Sequence, residues 1–232
     1  MERILLKLSG EALANDSGEI YDVDFVDKVA LAIKTCVDEG YQMSVVVGAG
    51  NIWRGRQGGA MDRTSADRMG MLATVINAIC LKEAIERAGR SAVVMTAIPM
   101  TPFALPYSAE EAVKHLEEGK VVVFGGGLGI PFLSTDTAGA VRAAEIGVDS
   151  ILMAKNVDYI YTDDPRKNPN AKKLETVKAT EVLAMNLKAI DATATAFCLS
   201  TGVPVRVFGL KDPMDIVKAV RGNISGTVIT AE

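Results

Sequence analysis

Short apolar runs alternate with longer segments of helical period along the whole sequence, and this alternation constrains the fold more than any other feature. Strands are expected at residues 3–8, 43–48, 92–96, 121–124, 150–153, 205–208 and 227–230. Helices are expected near residues 24–38, 65–88, 109–118, 137–146, 180–185, 192–200 and 213–220. The strand runs are apolar on both faces, as strands covered from both sides are. Ser108 followed by Glu111 reads as a capping box that starts the third helix. The implied architecture is α/β, a three-layer sandwich with a mainly parallel central sheet. With 232 residues, 49% of them hydrophobic, a single domain over residues 1–232 is expected.

Composition removes several classes of function. The chain has 25 Lys and Arg against 29 Asp and Glu, a net charge of -4, whereas a general nucleic-acid binder needs a basic surface. The longest apolar stretch, residues 121–133, is interrupted by Gly125, Gly126, Gly127, Gly129 and Pro131. It falls short of the roughly 20 residues of a spanning helix. Residues 4–8 make too short an apolar run for a secretion signal, so a cytoplasmic location is expected. Cys36, Cys80 and Cys198 are odd in number and far apart, which suits buried free thiols better than disulfides or metal ligands. His115, the single histidine, sits in a polar helical segment and reads as a surface residue. It leaves no Ser-His-Asp triad, and the P-loop, dinucleotide fingerprint and nucleophile elbow are all absent.

In an open α/β sheet, ligands collect at the carboxyl ends of the strands, so the residues just after each strand carry the chemistry. Four such places stand out. Lys7-Leu8-Ser9-Gly10-Glu11 puts a point charge and a glycine turn at the end of the first strand. In residues 48–55, small residues that admit a ligand to the backbone precede Arg54. Residues 125–136 combine glycines with Ser134, Thr135 and Asp136 at a helix start, where free amides favour an anion. Residues 154–165 lead from a strand into tyrosines and acids, and the polar stretch 163–170, with two prolines, reads as an exposed loop. Each taken alone also has an ordinary explanation: a snorkelling lysine, a helix cap, or a turn with solvated carboxylates.

Taken in order, the sequence resembles the amino acid kinase family and, within it, the branch of bacterial-type uridylate kinases. The resemblance rests on Lys7-Leu8-Ser9-Gly10-Glu11-Ala12-Leu13, residues 48–55, Asp67-Arg68-Met69-Gly70-Met71-Leu72-Ala73-Thr74, residues 131–136, residues 158–165 and Pro204-Val205-Arg206-Val207-Phe208. The Asp67 to Thr74 segment is the part characteristic of the uridylate branch. The resemblance implies an amino acid kinase-like fold, with an N-terminal part that mainly binds UMP and a C-terminal part that mainly binds ATP. It implies that Lys7, Leu8, Ser9, Gly10, Gly50 and Arg54 contact ATP phosphates or the transferring group, with Arg54 touching both substrates. Lys155, Asn156, Tyr161 and Asp164 are then expected beside the adenosine of ATP.

By the same matching, UMP is enclosed by Ala49, Asp67 and the run Leu128, Gly129, Ile130, Pro131, Phe132, Leu133, Ser134 and Thr135, with Asp67 accepting from the ribose. Lys7, Arg54, Asp136 and Asp191 are the catalytic candidates. Magnesium is expected to arrive with ATP, held through nucleotide phosphates and not by the chain directly. The resemblance further implies a homohexamer, inhibition by UTP and activation by GTP. Many relatives have glycine at the position of Ala49, Thr-Gly-Asn at residues 128–130, and a glycine-rich stretch where this chain has residues 15–20. Two rivals are open at this stage: a kinase of the same fold acting on a carboxylate, carbamate or isoprenoid phosphate, and a non-catalytic sensor of UMP or UTP. A long apolar helix around residues 69–85 is either an interface or a core helix.

Overall fold

The structure is a computed structural model that describes residues 1–15, 18–53, 59–165 and 167–231. Arg54 and Gly55, part of the 48–55 loop, lie outside the described residues, as do Asp16 and Ser17 of residues 15–20 and Arg166 of the 163–170 loop.

In chain order the strands are β1 (Arg3–Leu8), β2 (Gln42–Val47), β3 (Ala92–Thr96), β4 (Leu105–Pro106), β5 (Val121–Gly125), β6 (Ser150–Lys155), β7 (Ile160–Tyr161), β8 (Lys173–Leu174), β9 (Thr176–Lys178), β10 (Val205–Gly209) and β11 (Gly226–Thr230). The helices are α1 (Val23–Asp38), α2 (Arg63–Arg87), α3 (Ala109–Glu117), α4 (Thr135–Glu145), α5 (Ala179–Ala184), α6 (Ala192–Thr201) and α7 (Asp215–Val220), with a 3-10 turn at Gly10–Leu13. Among the described residues nine strands form one sheet in the order β4-β3-β5-β2-β1-β6-β10-β11-β9. All pairings are parallel except β10 with β11. A separate antiparallel pair, β7 with β8, brackets the polar 163–170 loop.

Every strand expected from the sequence is present within a residue or two. Four were not foreseen: β4, β7 and β8 are two residues long and β9 three, too short to show a period.

Side-chain alternation along the strands builds the three layers. On β1, Ile4, Leu6 and Leu8 face one core with Val26, Val29 and Ile33 of α1, Leu81 and Ile85 of α2 and Ile216 of α7. Leu5 faces the other core with Ala112 of α3, Ala140 of α4, Val182 of α5 and Ala194 of α6. Lys7, two residues after Leu5, falls on this second face, and Gly139 of α4 lies against its stem. Cys36 and Cys198 are buried and Cys80 is half-buried, all three as free thiols.

Two sequence expectations change. The α3 cap is half a capping box: the Glu111 amide donates to Ser108 Oγ at 3.3 Å, while the Ser108 hydroxyl donates to Glu110. His115 is not a surface residue, because Ala112 and Leu116 on the same helical face are fully buried and carry it inward. Its side chain is only 14% exposed, and its Nδ1 lies 3.6 Å from Glu118.

Helix α2 is a core helix along one face and leaves apolar side chains exposed along another. Met71, Val75 and Leu81 are buried, while Met69, Leu72, Ile76 and Ile79 form an exposed stripe.

Candidate active site

β1 lies between β2 and β6, where the chain order of the strands reverses, and the carboxyl end of such a strand is where a doubly wound sheet opens a crevice. Lys7 is placed there, opposite Val46 on one side and Met153 on the other.

The Lys7 ammonium meets Asp136 Oδ1 at 2.7 Å, and the Lys155 ammonium meets Asp136 Oδ2 at 2.7 Å. Three elements thus converge: Lys7 from β1, Lys155 from the end of β6, and Asp136 from the first turn of α4. Lys7 and Asp136 are 6% and 8% exposed. Burial drives the Asp136 carboxyl upward, but the ammonium charges of Lys7 and Lys155 outweigh it and hold the group below the usual carboxylate range. Burial and the charge of Lys7 pull Lys155 below the ordinary lysine range, against the attraction of Asp136. One carboxylate therefore positions two cations at a helix N-terminus, an arrangement suited to an anion that gains charge during reaction.

Asp191 supports this cluster from behind. It caps α6 by accepting from the Ala194 amide at 2.9 Å, and takes the Thr137 hydroxyl at 3.1 Å and the Ser134 hydroxyl. Ser134 in turn caps α4 through the Thr137 amide at 3.1 Å. The helix that carries Asp136 is thereby tied to α6.

A cavity of about 510 Å³ opens beside the cluster. Of the ten residues expected to enclose the acceptor, Ala49, Asp67, Leu128, Ile130, Phe132, Leu133, Ser134 and Thr135 line it. Gly129 and Pro131 do not; Gly129, at φ +73°, turns the loop against Ala97. Gly50, expected to contact ATP phosphates or the transferring group, also lines this cavity. Met71 and Thr74 of the Asp67 to Thr74 segment also line it, as does Arg63, which no sequence motif marks. Asp67 is engaged: both carboxylate oxygens accept from Arg63 Nε at 2.8 Å, and Oδ2 also accepts from the Phe132 amide at 2.8 Å. The guanidinium of Arg63 lies over the Phe132 ring at 5.5 Å.

On the other side of the cluster, a cavity of about 450 Å³ is lined by Tyr161 and Asp164 together with Tyr159, Asp163 and Met185. A third, of about 400 Å³, runs from Asp136, Lys155 and Asp191 to the segment 186–190. Asn156 is exposed and lines none of the three. Leu8 has its side chain in the core and its carbonyl taken by the Gly48 amide at 3.0 Å, so it shapes the site without facing it. Ser9 precedes the 3-10 turn and makes no side-chain cap bond. Gly10 packs so closely on Gly48 and Gly50 that no side chain fits.

The 48–51 loop is held by a polar network within the fold. Asn77 of α2, fully buried, donates to the Gly48 carbonyl at 2.7 Å and to Asn51 Oδ1 at 2.8 Å. Its own Oδ1 accepts from Tyr21 at 2.7 Å and from Asn51 at 3.1 Å. Removing this amide strands several buried groups, at roughly 1–3 kcal/mol each. Asn77→Leu, close to isosteric, is expected to destabilise the fold by about 2–4 kcal/mol. Urea unfolding would read the change, and a loss below about 1 kcal/mol would remove the network from that role.

The donor set does not suit a metal held by the chain. Both oxygens of Asp136 are taken by lysines, and among the described residues no group of three or more His, Cys, Asp or Glu is arranged around a cation.

A model of the amino acid kinase family matches residues 2–209. The chain belongs to the amino acid kinase family. Solved relatives agree over the full length. A UMP kinase from Bacillus anthracis is 36% identical with a TM-score of 0.95, covering 100% of this chain and 96% of that one. A UMP kinase from Ureaplasma parvum is 36% identical with a TM-score of 0.94, covering 99% and 98%. A uridylate kinase from Archaeoglobus fulgidus is 27% identical with a TM-score of 0.76, covering 99% and 100%. Membership makes this chain a phosphotransferase of the family's fold, and no described helix is long and apolar enough to cross a membrane.

Proposed function

We propose that this protein is a UMP kinase, which transfers the γ-phosphoryl group of ATP to UMP and releases UDP and ADP. The observation that carries the reading is the pair of cavities on either side of the Lys7–Asp136–Lys155 cluster. The 510 Å³ acceptor cavity ends at Ser134 and Thr135, and the 400 Å³ donor cavity begins at Asp136 and Lys155. Full-length likeness to UMP kinases supports the choice of acceptor.

A phosphate monoester has a second pKa near ~6, so UMP enters as a nucleophilic dianion and needs no general base. Its phosphate oxygen bonds to the γ-phosphorus as the bond to the β–γ bridging oxygen breaks, and the bonding pair leaves with ADP. Lys7 and Lys155 neutralise the charge on the transferring group, while Asp136 keeps both ammonium groups aimed at it. Magnesium bound to the nucleotide supplies further charge neutralisation. In this reading Asp67 exchanges its Arg63 contact for a ribose hydroxyl, and Arg54 completes the phosphate contacts. The absence of histidine from all three cavities disfavours a mechanism that binds its acceptor through imidazole.

The exposed stripe of α2, with Leu72 and Ile76 each 51% exposed, supports a homo-oligomer, for which a homohexamer is the expected form. A monomeric mass by light scattering would contradict that part. UTP as inhibitor and GTP as activator belong to the same reading. The test of function is ADP release with magnesium and ATP in parallel reactions with UMP, CMP, dTMP, aspartate, carbamate and isopentenyl phosphate. Turnover selective for UMP is expected, and selectivity for another acceptor would overturn the assignment.

A further inference from the structure

Among the described residues, the donor side contains a cation with no partner. Lys188 lines both the 450 Å³ and the 400 Å³ cavities, and it is the charged residue common to the two. It is exposed, and among the described residues it makes no hydrogen bond or ion pair. The backbone fixes its direction. Helix α5 ends with Asn186 in the left-handed region at φ 50°, a conformation asparagine tolerates better than most residues. The Leu187 amide then bonds back to the Val182 carbonyl at 3.1 Å. Leu187 and Ala189 pack on the core, and Ile190 is 3% exposed, so the residue between them is turned outward into the two cavities.

Charge gives this lysine a purpose. Around the third cavity, Asp136 and Asp191 offset Lys155, and Lys7 shares Asp136 with it. A triphosphate brings about four negative charges into that space, more than the paired lysines neutralise. We propose that Lys188 is a further donor-binding residue, which contacts the phosphate chain where it passes from the adenosine cavity to the Lys7–Asp136–Lys155 cluster. This rests on the kinase reading of the site.

Calorimetric titration of the whole protein with adenosine, AMP, ADP and ATP, with magnesium present, tests it. In Lys188→Met, ATP is expected to weaken by about 10- to 100-fold, while adenosine stays within about twofold. Lys188→Arg should recover most of the ATP affinity, because it restores a cation at the same place. Equal losses for adenosine and ATP, or no loss for either, would overturn the proposal. The ligand at which the loss first appears places the contact along the chain. The two readings fail separately: wild-type protein that binds ATP but turns over no acceptor contradicts the kinase assignment, while the phosphate series still decides Lys188.

Discussion

Replacing Lys7 by Met is expected to lower turnover with ATP and UMP by about 10²–10³-fold while changing either Michaelis constant far less. The argument is one of position and charge. Lys7 is on the central strand, 6% exposed, with its ammonium 2.7 Å from Asp136 and its stem against Gly139. In the proposed mechanism a charge so fixed stabilises the transferring phosphoryl group more than it stabilises bound substrate, so its loss falls on the chemical step. Met keeps the volume, and Asp136 retains Lys155, so the fold should persist with a modest loss of melting temperature. Equal increases in both Michaelis constants with turnover unchanged would make Lys7 a binding residue only.

Gly10→Ala is expected to lower kcat/KM by about 10²-fold or more, though it adds a single methyl group. The added carbon would stand 2.4 Å from the Gly48 carbonyl oxygen and 2.7 Å from the Gly50 amide nitrogen. Both are backbone atoms, so no side chain can turn aside to make room. The Gly48 carbonyl is also pinned by Asn77, and Gly50 borders the 510 Å³ cavity. The strain must move either the 48–51 loop or the 3-10 turn after β1, and both abut the cluster. Efficiency within about threefold of the parent would show that the loop yields without cost.

The sequence makes the sheet legible because its long strands are apolar on both faces, a pattern that only a doubly covered sheet explains. Lys7 stands out there because a charge interrupts such a run. The glycine-rich stretch before Ser134 is legible for a similar reason, since it exceeds what a helix cap requires. Short edge pieces such as β4 carry no period, and β4 contains a proline.

Arg63 and Lys188 are charged residues at a helix start and in a connection, where charges are ordinary. Only the three-dimensional arrangement brings Arg63 to Asp67 and Lys188 to the 450 Å³ and 400 Å³ cavities. Asn77 left a faint signal, an amide inside Val75-Ile76-Asn77-Ala78-Ile79, and a buried amide in an apolar run must find partners. The polar composition of its helix points His115 to the surface, yet the narrow buried face of that helix is set by Ala112 and Leu116.

The most direct measurement follows the phosphoryl group itself. With ATP labelled at the γ-phosphate, magnesium and UMP, the label is expected in the β-phosphate of UDP, with one UDP formed for each ADP. Label released as inorganic phosphate, or saturable uridine nucleotide binding with no transfer, would contradict phosphoryl transfer to UMP at this site.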